Sequence, residues 1–218
     1  MSSSGKMRLK IIRKPKQTAP SEKQMSETVN RGTGAGGAKT NHNGKKFEAK
    51  TDNLPRLLEQ GFTKKVIPGA TGKQSVYHEK QIDADTSIVY MTQTALKAYF
   101  THFFHKEMVR QPDEAYLFRT GDTYKLCILE KKNQNTTGSV DQKLGVGQYL
   151  KEEYAECLDE RFTIEYAFCL SSFLKKDYIS SQKKYEIMRK LHAKDHITVL
   201  FGDDENYFTT LDTWLGFN

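Results

Sequence analysis

The stretch from Pro112 to Gln134, PDEAYLFRTGDTYKLCILEKKNQ, decides the fold. Ala115 to Arg119 and Tyr124 to Lys131 are apolar enough to form buried strands, and Thr120-Gly121-Asp122 between them is turn chemistry, so an antiparallel hairpin is expected. On the second strand the period of two sets Leu126, Ile128, Glu130 and Lys132 on one face, so a carboxylate and an ammonium emerge where the apolar run stops. Asp113 enters the neighbouring strand. Antiparallel pairing through the turn then brings Asp113 opposite the region of Glu130 and Lys132. Two acids and a lysine converging in this way can hold a hard divalent cation. The same residues also allow a simpler outcome, a Glu130–Lys132 ion pair that solvates a sheet edge.

Pro112-Asp113, followed on the next strand by Glu130-Lys131-Lys132 and extended by Gln134 to ExKxQ, resembles the motif of the PD-(D/E)XK nuclease superfamily. A second ExK, Glu48-Ala49-Lys50, lies in a helical pattern and so has the wrong setting. The resemblance implies an α/β fold with a restriction-endonuclease-like mixed β-sheet core flanked by helices. It implies a Mg²⁺ site made by the Asp113 and Glu130 carboxylates and the Lys131 carbonyl. It makes Lys132 the donor that aligns a water for in-line attack on a phosphodiester, and Gln134 the group that orients Lys132 or the DNA. In this family an acid of the first helix often joins the metal site, and Glu48 is the matching position; a solvated helix carboxylate is the alternative there.

Outside the hairpin, charge is the most informative property. Residues 1 to 40 carry nine Lys or Arg against Glu22 and Glu27, which accounts for the whole net charge of +7 and leaves 25 residues of each sign in 41 to 218. The tail's Ser, Gly, Thr and Lys content cannot bury a core, so a largely disordered basic tail followed by a nuclease-like domain from residue 41 to 218 is expected. Such a tail suits contact with a polyanion, or serves as a solubilising leader or nuclear-type address. Gly32-Thr33-Gly34-Ala35-Gly36-Gly37 fits GxGxxG, but no strand precedes it, so it reads as linker. Gly69-Ala70-Thr71-Gly72-Lys73 lacks phosphate-loop spacing and reads as a turn.

No apolar run reaches the length of a membrane span, and the polar, basic start of the chain lacks the apolar segment of a signal peptide; an intracellular location, cytoplasmic or nuclear, is expected. Cys127, Cys157 and Cys169 are an odd number in apolar settings without CxxC spacing, which suits reduced thiols.

Around the hairpin the remaining elements fall into order. A helix capped by Asn43 carries Phe47, Leu54, Leu57 and Leu58, is kinked or restarted at Pro55, and closes at Gly61. Strands follow at 64–67, 75–79 and 86–91, then an aromatic helix over 94–108 whose Tyr99, Phe100, Phe103 and Phe104 suit core or dimer contact. His102 and His105 within it read as histidines at the edge of the core. After the hairpin come a helix over 141–158, opened by cap chemistry at Ser139, a strand over 162–170, a helix over 180–192, a strand over 197–201 and a last helix over 204–215. Gly202-Asp203-Asp204-Glu205 allows a second metal site, but helix-capping acids are the commoner reading of such a run. The expected function is a Mg²⁺-dependent endonuclease acting on double-stranded DNA as a homodimer, most like a type II restriction enzyme. Repair, junction-resolving or transposition nucleases, and a catalytically silent nucleic-acid-binding protein of the same fold, are the alternatives.

Overall fold

The computed structural model describes residues 38–134 and 140–217; the side chains of 38–43, 73, 74, 140 and 141 are outside that description. The glycine-rich motif, most of the basic tail and the Ser139 cap therefore lie outside the described residues. The rest forms a seven-stranded mixed sheet in simple order: β1 (Thr63–Val66), β2 (Val76–Gln81), β3 (Thr86–Met91), β4 (Glu114–Thr120), β5 (Thr123–Lys132), β6 (Phe162–Leu170) and β7 (Ile197–Phe201). β1 to β5 are antiparallel neighbours, whereas β6 and β7 are added parallel to β5 through helical crossovers.

The hairpin is as the sequence expects. Thr120 pairs with Thr123, so Gly121 and Asp122 alone make the turn, and the positive φ of 58° at Gly121 is a conformation that glycine adopts without penalty. The strand over 162–170 and the strands over 86–91 and 197–201 also occur where the patterns set them.

Both faces of the sheet are covered. Leu126 and Ile128 of β5 pack with Ala115, Leu117, Tyr166 and Phe168 in one core, and Cys127 and Leu129 pack with Tyr116, Ala167 and Cys169 in the other. The first core is closed by α3 (Thr94–Phe104), α5 (Gly147–Ala155) and α6 (Ser172–Tyr178), through Leu96, Phe100, Tyr154 and Leu174. The second is closed by α1 (Ala38–Lys50), α2 (Leu54–Glu59) and α8 (Tyr207–Leu215), through Phe47, Leu57 and Leu211. Burying each such side chain stabilises the fold by roughly 1.5–3 kcal/mol, which explains why β5 and β6 read as near-continuous apolar runs. All three cysteines are free thiols, Cys127 and Cys169 buried and Cys157 half-buried. Among the described residues no helix is long and apolar enough to cross a membrane.

Several local expectations are corrected. α1 begins at Ala38, so Asn43 lies inside the helix instead of capping it; the break falls at Thr51 to Asn53, and Pro55 sits in the first turn of a new helix, where its missing N–H costs nothing. The helix expected over 141–158 is two pieces, α4 (Val140–Leu144) and α5, interrupted at Gly145-Val146. The aromatic helix stops at Phe104 because His105 turns left-handed, and Phe103 remains exposed. α6 was hidden in Ser172–Tyr178, where a run of two lysines and an aspartate masks the apolar spacing of Leu174 and Tyr178. The helix expected over 180–192 is α7 (Lys183–Lys194), and α8 begins at Tyr207, after the acidic turn.

Candidate functional site

The hairpin register determines what meets at the open end of β4 and β5. Thr120 and Thr123 close a two-residue turn, so they and every second pair up to Glu114 and Leu129 exchange backbone hydrogen bonds. The ladder ends there, and Asp113 lies in a bend just before β4, close enough to the end of β5 for its charge to act on Glu130. Glu130 and Lys132 share the face of β5 that carries Ile128. The Lys132 Nζ donates to Glu130 Oε2 at 2.7 Å. The Asp113 carboxylate bends back to accept the Lys131 backbone N–H at 2.6 Å.

Pro112 lies outside the ladder, and its carbonyl accepts the Gln93 N–H of the segment after β3 at 2.9 Å, which ties the chain before β4 to that side. Because N–H and C=O of one strand residue point the same way, the Lys131 carbonyl turns toward β4 as its N–H does. Lys132 points its carbonyl the other way and accepts from Ser171 N–H at 3.1 Å, which fixes this alternation.

Electrostatically the site is tense. Burial pushes the Glu130 carboxyl up, Lys132 draws it down, and the Asp113 carboxylate nearby pushes it up again. Glu130 also lies near the hydroxyls of Tyr154 and Tyr166, both buried and without a hydrogen-bond partner among the described residues. Burial, then the Glu130 charge, raises both phenols. Over them Arg110 holds Glu153 at 2.5 Å.

Lys131 has a different environment from the one its place in the motif suggests. Its side chain enters the opposite core, where its Nζ donates to Glu114 Oε1 at 2.6 Å and to the Thr51 carbonyl at 3.0 Å, with the pair only 5% and 2% exposed. Tyr116 OH donates to the other Glu114 oxygen at 2.6 Å, and Asn53 Nδ2 donates to Tyr116 at 3.1 Å. Arg56 continues the chain to Asn53 and to Asp212 of α8. This network fixes the α1–α2 break against the strand that carries the motif. The sequence reading missed it, although the signal was there: Glu114 and Tyr116 share the strand period of Lys131, as Asp113 shares that of Glu130 and Lys132.

Two clefts open beside the motif, and Glu48 and Lys131 line both. The first, of about 360 Å³, also has Asp113, Glu114, Asp52 and Gln93 in its wall. The second, of about 260 Å³, has Lys132, Lys143 and Gly44. Glu130 lines neither. Glu48 is exposed on α1 in the shared wall, and Gln134 follows the end of β5, where its backbone meets the Ser171 hydroxyl at 3.4 Å.

A hard cation fits this donor set in part. Glu130 Oε1 and Asp113 Oδ1 have no hydrogen-bond partner among the described residues; Mg²⁺ is commonly held by one or two carboxylates, completing its shell with water and substrate phosphate. Among the described residues no three Asp, Glu, His or Cys side chains are grouped to hold a metal, so Glu48 does not make a third protein carboxylate with Asp113 and Glu130. The acidic turn after β7 is engaged elsewhere: Asp203 pairs with Lys50 at 2.8 Å and accepts Ser172 N–H at 2.7 Å, and Asp204 pairs with Lys175 at 2.6 Å.

The chain matches no family model, no curated protein and no solved structure.

Proposed function

We propose that the chain is a Mg²⁺-dependent endodeoxyribonuclease of the PD-(D/E)XK kind, with a restriction-endonuclease-like core, and most resembles a type II restriction enzyme. The observation that carries this reading is the hairpin end: Asp113 on the Lys131 backbone N–H at 2.6 Å, its charge acting on Glu130, and Lys132 2.7 Å from Glu130. Supporting it, an antiparallel meander leads through a helical crossover to a parallel strand, so the motif sits at the carboxyl ends of β5, β6 and β7, where open α/β sheets bind ligands.

Asp113, Glu130 and the Lys131 carbonyl would hold Mg²⁺. The ion, when bound, supplies charge neutralisation for a phosphodiester and acidifies water. Lys132 has three donors; one holds Glu130 and the others remain for the attacking water or the scissile phosphate. Gln134 steadies the strand end beyond Lys132, and Glu48 closes the wall between the two clefts. Cutting both strands of a two-fold duplex site takes two copies most simply, so a homodimer on double-stranded DNA belongs to the proposal. One observation favours the silent binding protein instead: Glu130 is buried and lines neither cleft.

Incubation of the full chain with supercoiled plasmid separates the readings. Discrete bands in Mg²⁺, absent in EDTA and with Asp113→Asn, are expected; a smear points to a nuclease without sequence preference. An intact plasmid in Mg²⁺ with DNA binding retained would overturn the enzyme reading.

A further inference from the structure

The two clefts that share Glu48 and Lys131 have opposite character. The first presents Glu48, Asp52, Asp113 and Glu114 against Lys45 and Lys131, the second presents Lys131, Lys132 and Lys143 against Glu48 alone. In the second cleft Lys131 is engaged by Glu114 and Lys132 by Glu130, whereas Lys143, exposed on α4, has no acidic partner among the described residues. An accessible ammonium beside two neutralised ones is a site for an anion.

Gly44 is the independent sign. It stands inside α1, where glycine is the poorest helix former short of proline, yet a Cβ built there meets no atom within 4 Å, so packing does not require its absence. The second cleft gives the missing side chain a use, because Gly44 lines it together with Lys132 and Lys143. Removing a side chain from such a wall lets an extended polymer backbone approach the helix closely.

We propose that this second cleft is a phosphate subsite for the DNA strand next to the phosphodiester presented to Lys132, with Lys143 as its anchoring charge and Gly44 as the opening that admits the backbone. The subsite takes its place on the strand from the nuclease reading, but it binds DNA whether or not the chain cuts.

Affinity of the full chain for a duplex oligonucleotide is measured in EDTA across a salt series, for wild type and for Lys143→Gln, Lys143→Arg, Gly44→Gln and Lys64→Ala. Lys64 is exposed on β1, four strands from β5, and removes an equal charge elsewhere. One lost phosphate contact lowers the slope of log affinity against log salt by about 0.9, so Lys143→Gln falls by that amount while Lys143→Arg and Lys64→Ala hold. Gly44→Gln weakens binding about tenfold or more while its thermal midpoint stays level or rises, since glutamine is the better helix former. An unchanged slope in Lys143→Gln, an equal drop in Lys64→Ala, or full affinity in Gly44→Gln overturns the subsite. Plasmid cutting in Mg²⁺ is scored separately: a wild type that binds through Lys143 without cutting refutes the nuclease and leaves the subsite standing.

Discussion

Adjacent lysines of the motif should fail in opposite ways. Lys131 is sealed with Glu114 at 2.6 Å, the two side chains 5% and 2% exposed, and it also caps the Thr51 carbonyl at the end of α1. In Lys131→Met, Glu114 keeps the Tyr116 hydroxyl but loses its counter-charge while buried, which costs about 3–5 kcal/mol. That is a large part of the 5–15 kcal/mol typical of a whole domain. Lys132 and Glu130 are 21% and 12% exposed, and burial already favours a proton on Glu130, so Lys132→Ala lets the carboxyl neutralise and costs about 1 kcal/mol. Cleavage, however, should drop by about 100-fold or more, because the lost donor acts at the reaction. Urea denaturation and single-turnover cleavage on the same preparations read both effects. A double-mutant cycle with Glu114→Gln should return part of the Lys131 penalty. Comparable stability losses at the two positions, or retained cleavage in Lys132→Ala, would refute this division of roles.

Three further outcomes are expected. Glu130 has a folded pKa raised above its unfolded value of about 4.3, so its contribution to stability is complete below that pH and is lost as pH rises through the folded value; urea midpoints of wild type should fall relative to Glu130→Gln across that window, and parallel profiles would contradict it. A Cβ at Gly202 would lie 2.6 Å from Thr51 Cγ2 and 2.7 Å from Cys169 Sγ and Phe47 Cζ, so Gly202→Ala should destabilise by about 1–3 kcal/mol, measured by the same denaturation. Glu48 borders both clefts without completing a three-carboxylate group, so Glu48→Gln should raise the Mg²⁺ needed for cleavage by about tenfold without unfolding the chain, and an unchanged titration assigns it to the solvated face of α1.

The parts legible in the sequence were those governed by local rules. The Gly121-Asp122 turn fixes the register of β4 and β5, and that register brings the start of β4, one residue after Asp113, to the Glu130 end of β5. Strand periodicity also separates Glu130 and Lys132 from Lys131. What stayed hidden depended on partners distant in the chain. Lys131 reads as one more charge at a polar strand end until α1 brings the Thr51 carbonyl onto it, 80 residues away in sequence. Asp203 and Asp204 read as acids capping the last helix, but Asp203 accepts the first N–H of α6 and pairs with Lys50, and Asp204 pairs with Lys175. Gly147 at the start of α5 is set by a tertiary contact too: a Cβ there would sit 3.0 Å from the Phe168 ring, and no window of local propensity contains that contact.

The hairpin is a zipper whose last tooth is a side chain. Every pair from Thr120 and Thr123 back to Glu114 and Leu129 closes β4 on β5 through the backbone, and one residue further the Asp113 carboxylate takes the Lys131 N–H in place of a strand carbonyl. The backbone teeth belong to the chain itself and survive almost any substitution, whereas the last one is written in a single residue and is erased with it.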